Sequence, residues 1–354
     1  MQSNRRCIPT TIITIFGSAM MAVLSLSPQP ASAAGYVVTN LVADVEGVAR
    51  HTDTNLVNPW GLVIAPTGTL IVAVNHSDDA QFFNPDGTRL PITINVPTAP
   101  TGVVINHSPQ DFLIRNGRII QFTDLIFATE SGTILAARLQ QGRSTAVVAV
   151  DNSKSGAVYK GLALGTNGMF SQFGTTLYAT DFHNGRVDMF NRNFQRTGSF
   201  TDPTVPAGFA PFNVQTINGL VLVTFAKQKL PEKMDDQAGL GNGFVDVFTA
   251  NGSTHVRVAS RGALNSPWGM AISPFNFGRF SNALLVGNFG DGHINAFDLR
   301  TGAFLGQLKD PSGNPIVIDG LWSLTFARNS SDLFFAAGPA DETHGLVGII
   351  RPQR

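Results

Sequence analysis

The chain is poor in the residues that carry covalent and charge-driven chemistry. Its single cysteine, Cys7, lies in the first ten of 354 residues, so beyond it disulfides, thiolate catalysis and cysteine-based zinc sites are all excluded. Charge is scarce too. Asp, Glu, Lys and Arg make up 14% of the chain against roughly a quarter in an average soluble domain, and the 24 basic and 24 acidic residues cancel. No Lys/Arg cluster stands out, so a nucleic-acid partner is not expected. Only three tryptophans and three tyrosines occur, and G-x-S-x-G, H-E-x-x-H and a Walker loop are missing. Classical serine-hydrolase, zincin and nucleotide-dependent chemistry therefore have no support.

What is abundant is glycine and phenylalanine, at 36 and 26 residues. High turn content with 43% hydrophobic residues predicts a packed, β-rich domain. The N-terminus reads as a secretory signal over residues 1–33: Arg5-Arg6, an apolar run from Thr11 to Leu26, then Ala31-Ser32-Ala33 as a small-residue cleavage site. The expectation is an exported protein, periplasmic or extracellular. Its domain would span 34–354 without a transmembrane anchor, as a monomer.

A short pattern repeats. Asn58-Pro59-Trp60-Gly61-Leu62 returns as Ser266-Pro267-Trp268-Gly269-Met270, with looser copies at Pro100-Thr101-Gly102-Val103, Tyr159-Lys160-Gly161-Leu162, Pro211-Phe212-Asn213-Val214 and Leu321-Trp322-Ser323-Leu324. Each opens an apolar run followed by a second one, such as Leu70–Val74 or Leu284–Asn288, and a third with alternating aromatics, such as Arg186–Phe190. A repeat of about 50 residues with several short strands is the signature of a β-propeller. Six copies predict an all-β, six-bladed β-propeller. The last unit lacks an outer strand, and the unassigned Tyr36–Ala43 would supply it, closing the ring.

These motifs, with Phe82-Phe83-Asn84-Pro85-Asp86-Gly87, resemble NHL-type repeats and the SMP-30/gluconolactonase-like propellers. The segments Thr52–Gly61, Gly241–Phe248 and Leu284–Gly292 are more closely similar to an uncharacterised family of secreted bacterial propellers. That resemblance implies a fold and no activity. Some members of that family end in a sorting tail that Gly348–Arg354 does not resemble, so surface anchoring by that route is not expected.

In a propeller, loops entering the innermost strands share a face with those leaving the second strands, and ligands gather there. Trp60, Trp268 and Trp322 occupy one repeat position, with Phe212 in blade 4 and Thr101 and Lys160 in blades 2 and 3. They are either a stacking wall for a flat or sugar-like ligand or packing between blades, with indole N–H groups bonded to carbonyls. Asn75, His76, His183 and Asp291 fall in the same loops as further ligand-binding candidates. Asp181, Asn288 and Glu130 follow second strands and form a candidate oxygen set for Ca²⁺; alternatively these Asp and Asn residues cap turns. An insertion in blade 4, Lys227–Asn242, reads as a lid bringing Asp235, Asp236 and Lys227 to the channel, or as a solvated loop. The expected function is binding of a small-molecule, carbohydrate-like or protein ligand at the channel mouth. The alternative is a calcium-assisted, lactonase-like hydrolase.

Overall fold

The computed structural model describes residues 35–116, 118–166 and 175–353; the signal-sequence reading of 1–33 lies outside them. Six four-stranded units, all antiparallel within themselves, are arranged around a central channel. Their innermost strands are Pro59–Ile64, Pro100–Ile105, Tyr159–Thr166, Phe209–Ile217, Pro267–Ile272 and Leu321–Phe326 (blades 1 to 6), and each contacts the next around the ring. The six-bladed propeller is thus as the repeat predicts.

Closure comes from Tyr36–Ala43, which pairs antiparallel with Leu346–Pro352 from Tyr36↔Pro352 to Ala43↔Leu346. The N-terminal strand thereby completes blade 6 as a four-stranded unit and ties the two ends of the propeller together. Tyr36 secures the joint: its hydroxyl donates to the Phe277 carbonyl at 2.9 Å, and its ring packs on Phe277 and Phe280 of blade 5. Two short parallel pairings add straps: His51–Thr52 alongside Tyr36–Ala43, and Gly142–Thr145 of blade 2 alongside Arg89–Asn95 of blade 1. A hairpin at Ile114–Asn116 and Ile119–Gln121 lengthens blade 2.

Alternation explains the core. Each strand turns one set of side chains toward each neighbouring blade, so the buried apolar residues fall into one cluster per blade–blade junction. In blades 1, 2, 3 and 5 a glycine follows the tryptophan-position residue, and there it is a packing requirement. A Cβ on Gly269 would meet the Trp322 carbonyl at 2.5 Å, and one on Gly61 would collide with the Thr101 carbonyl. At these four glycines the neighbouring inner strand approaches too closely for a side chain. Asn213 and Ser323 at the equivalent positions of blades 4 and 6 instead hydrogen-bond to the Trp268 and Trp60 carbonyls.

Because first and second strands run antiparallel, Pro59 sits opposite Val74 and Pro267 opposite Asn288. Starts of inner strands and ends of second strands therefore share one face, the mouth.

Candidate functional site

The tryptophans converge, but on one another. Trp60 and Trp322 stack with centroids 3.7 Å apart, and Phe289 covers the other face of Trp322 at 3.8 Å. Trp268 and Phe212 meet Trp322 edge-on, and Phe182, Ala210 and Ala226 fill the remaining space. Relative exposures of 1% for Trp60, 4% for Trp268 and 1% for Trp322 leave no open indole face. The stacking wall considered from sequence is thus a plug, because residues converging from the inner strands of blades 1, 4, 5 and 6 at a narrow axis reach each other before any ligand. Trp268 N–H donates to the Lys160 carbonyl at 3.2 Å and Trp322 N–H to Asn58 Oδ1 at 2.9 Å. Beyond the plug a cavity of about 390 Å³ runs down the channel, lined by inner-strand backbone with His107, Gln215 and Thr325.

On the mouth side the chemistry is ionic. Lys160 takes the blade-3 tryptophan position and is 2% exposed; its ammonium forms a short ion pair with Glu130, lies 3.6 Å from Asp235 Oδ1 and sits 4.9 Å from the Trp60 ring centroid. Asn75 Nδ2 donates to the second Glu130 oxygen at 3.1 Å. Asn58 Nδ2 reaches Glu342 Oε2 at 2.5 Å and Asn75 Oδ1 at 3.4 Å. The Trp322 indole bound to Asn58 Oδ1 fixes which end of that amide faces the carboxylates.

Two carboxylates compete for this ammonium with different results. Burial works against charge on Glu130, but Lys160 outweighs it and lowers the pKa. For Glu342 burial wins over the attraction of Lys160, the Glu130 charge adds to it, and the carboxyl is pushed up to about 7. Burial also opposes the Lys160 charge, and Glu130 with Asp235 and Glu342 more than restores it. Backbone strain marks the same place. Ala340, Asp341 and Glu342 are three consecutive left-handed residues at φ 56°, 51° and 66°, and Asn58 is held at φ 52° directly before a proline.

Asn75 and Glu130 belong to this cluster. His76 is exposed beside it. Phe212 is in the plug. His183 Nδ1 lies 3.0 Å from the Glu232 carbonyl and helps pin the blade-4 insertion, which also hangs from Gln228 Nε2 on the Phe182 carbonyl. That insertion joins Leu220–Lys227 to Gly243–Thr249, and it carries Asp235 to Lys160. Asp236 is held above its usual pKa by burial. Asp291 accepts from Asn265 and Asn288 and caps its own loop.

The calcium set does not assemble. Asp181 is paired with Arg186 at 3.2 Å and bonded to Asn184, Asn288 donates to the Ala263 carbonyl and Asp291, and Glu130 is committed to Lys160. The three belong to separate networks, with Asp181 sharing Arg186 with Asp188 and Glu130 held by Lys160. Among the described residues no three His, Cys, Asp or Glu side chains come together as metal ligands. Turn capping and ion pairing account for these positions instead. Asn58 and Glu342 escaped the sequence reading. The Asn/Ser-Pro-Trp-Gly motif contains Asn58, but nothing in the local sequence of Glu342 distinguishes it from a solvated loop acid.

No family model matches the chain. Two proteins of Acanthamoeba polyphaga mimivirus do: uncharacterised protein L690 is 31% identical over 333 residues, covering 90% of this chain and 86% of its own length, and uncharacterised protein R648 is 30% identical over 329 residues, covering 88% and 79%. The chain belongs to their family. These relatives are viral and give no support to a secreted bacterial family; what stands of that resemblance is the propeller fold. Among solved structures, a streptogramin B lyase superposes with a TM-score of 0.55 over 91% of this chain and 99% of that one, at 10% identity. That likeness is one of fold. No helix among the described residues is long and apolar enough to cross a membrane.

Proposed function

We propose that this propeller binds a small polar molecule at the channel mouth, above the aromatic plug and beneath the blade-4 insertion. The observation that carries the reading is Lys160: a buried ammonium among Glu130, Glu342 and Asp235, positioned by Asn58 and Asn75 on strained or buried backbone. A propeller needs no such group to close its channel, since the plug already does so. Buried charges that displace one another's pKa values cluster at functional sites. The plug supports the site from below, as a rigid floor rather than a stacking surface.

The test is a thermal-shift screen of sugars, polyols, amino sugars and small organic acids against the full chain. A ligand of the mouth raises the melting temperature of the wild type and loses most of that effect in Lys160→Met. Stabilisation that survives undiminished in Lys160→Met would place binding elsewhere and refute the assignment. Export completes the proposal, on the three-part pattern of residues 1–33. Recovery of the protein from its host with an N-terminus near Ala34 supports it, and retention of 1–33 overturns it.

A further inference from the structure

We propose that Lys160 anchors the carboxylate of a small organic acid, and that Asp235 of the blade-4 insertion keeps that position until the ligand displaces it. This rests on the reading of the mouth as a ligand site and names the ligand's chemistry.

The argument begins with donors. An ammonium has three N–H groups. Among the described residues Lys160 makes one hydrogen bond, to Glu130 Oε1. Its other near neighbours are the Trp60 ring face, 4.9 Å from the centroid, and Asp235 Oδ1 at 3.6 Å, beyond hydrogen-bonding distance. A side chain only 2% exposed with unfilled donors calls for an acceptor at the mouth. Asp235 is the group nearest that position, yet its own side chain is 69% exposed, so it can turn outward to solvent.

Charge selects the ligand. With Asp235 in place, one ammonium already faces Glu130, Asp235 and Glu342. A second cation would be set against Lys160, whereas a ligand carboxylate replacing that of Asp235 leaves the charge count unchanged. Glu342, whose carboxyl is pushed up to about 7 by burial, can donate its proton to such a carboxylate. The loop backbone is held, by Gln237 N–H on the Lys227 carbonyl, Gly239 N–H on Asn265 Oδ1, Lys229 N–H on the Asp235 carbonyl and His183 against the Glu232 carbonyl, so what gives way is the exposed Asp235 side chain.

All three tryptophans lie in the plug, so intrinsic fluorescence reports on the mouth. The probes are acetate, and three pyranoses differing in charge: D-glucuronate, D-glucose and D-glucosamine. Expected are saturable responses to glucuronate and acetate and none to glucose or glucosamine. Asp235→Asn, freed of the tethered competitor, binds glucuronate about three- to tenfold more tightly. A preference for glucosamine or glucose, or glucuronate affinity that is unchanged or weaker in Asp235→Asn, overturns the carboxylate assignment while leaving the mouth as a ligand site. Silence toward all four probes in both proteins sinks the two readings together.

Discussion

Glu342→Gln should flatten the dependence of stability on pH. In the folded protein the Glu342 carboxyl holds its proton to about 7, against an ordinary value of 4.5, because burial disfavours its charge and Lys160 is already engaged by Glu130. Between those two pH values the folded chain binds more protons than the unfolded chain. Stability therefore falls as pH rises from about 4.5 to 7, and the loss is complete above that. Two and a half pH units correspond to about 3 kcal/mol. Glutamine is neutral throughout and keeps an oxygen to accept from Asn58, so it escapes the loss. At pH 8 the variant should be the more stable protein, melting about 5 °C higher for a chain of this size; at pH 4 the two should coincide. Asp246 and Asp79, raised by burial to about 7 and about 6, tilt both profiles the same way and cancel in the difference. Melting curves from pH 4 to 8, read by calorimetry, are sufficient. Parallel profiles for the two proteins would show that Glu342 titrates normally and that the charge balance drawn at the mouth is wrong.

The plug and the ring closure give further expectations. Trp322→Ala removes the middle ring of the Phe289–Trp322–Trp60 stack and should cost about 3–5 kcal/mol; a loss under 1 kcal/mol in denaturant unfolding would mean the stack is not what fills the channel. Tyr36→Phe deletes the hydroxyl that bridges the Phe277 carbonyl and the Phe280 N–H and should cost about 1–3 kcal/mol, since both partners stay buried. An unchanged unfolding midpoint would show that blade 6 is not latched to blade 5 there.

How much was legible follows from what kind of information each feature needs. The blades could be read because a repeat restates its pattern: Leu70–Val74, Leu125–Thr129, Leu284–Asn288 and Leu333–Ala337 are second strands with the boundaries the apolar runs indicate. The closing strand could be read because blade 6 was one strand short. The three tryptophans could be placed at one repeat position, but their mutual burial depends on the channel's width, which no local pattern records. Lys160 could be placed at the tryptophan position with Thr101 but not read as a site residue, because its partners come from other blades: Glu130 from blade 2, Asp235 from blade 4 and Glu342 from blade 6. The calcium set failed for a related reason. Asp181 and Asn288 are equivalent in the repeat, which places them on the same face but in different blades, each within reach of its own Arg186 or Asp291. Buried Asp188 and Asp246 tell the same story. Phe244–Phe248 shows an acid at a core-facing strand position while its cation Arg257 lies one strand further on, and Asp188 is paired both with Arg186 of its own strand and with Arg196 of the next.

The pairing of Tyr36–Ala43 with Leu346–Pro352 has a consequence for biosynthesis. The strand is made first and can be seated only after its partner, some three hundred residues later, has been made. At about 5–20 residues per second this wait lasts roughly 15–60 s. During that interval YVVTNLVA, a β-prone segment without charge or proline, has both edges open to any other chain. A propeller closed in this way carries its greatest hazard of misassembly before it has a shape, and dilution or a holding partner early in synthesis will matter more to its yield than the stability of the finished ring.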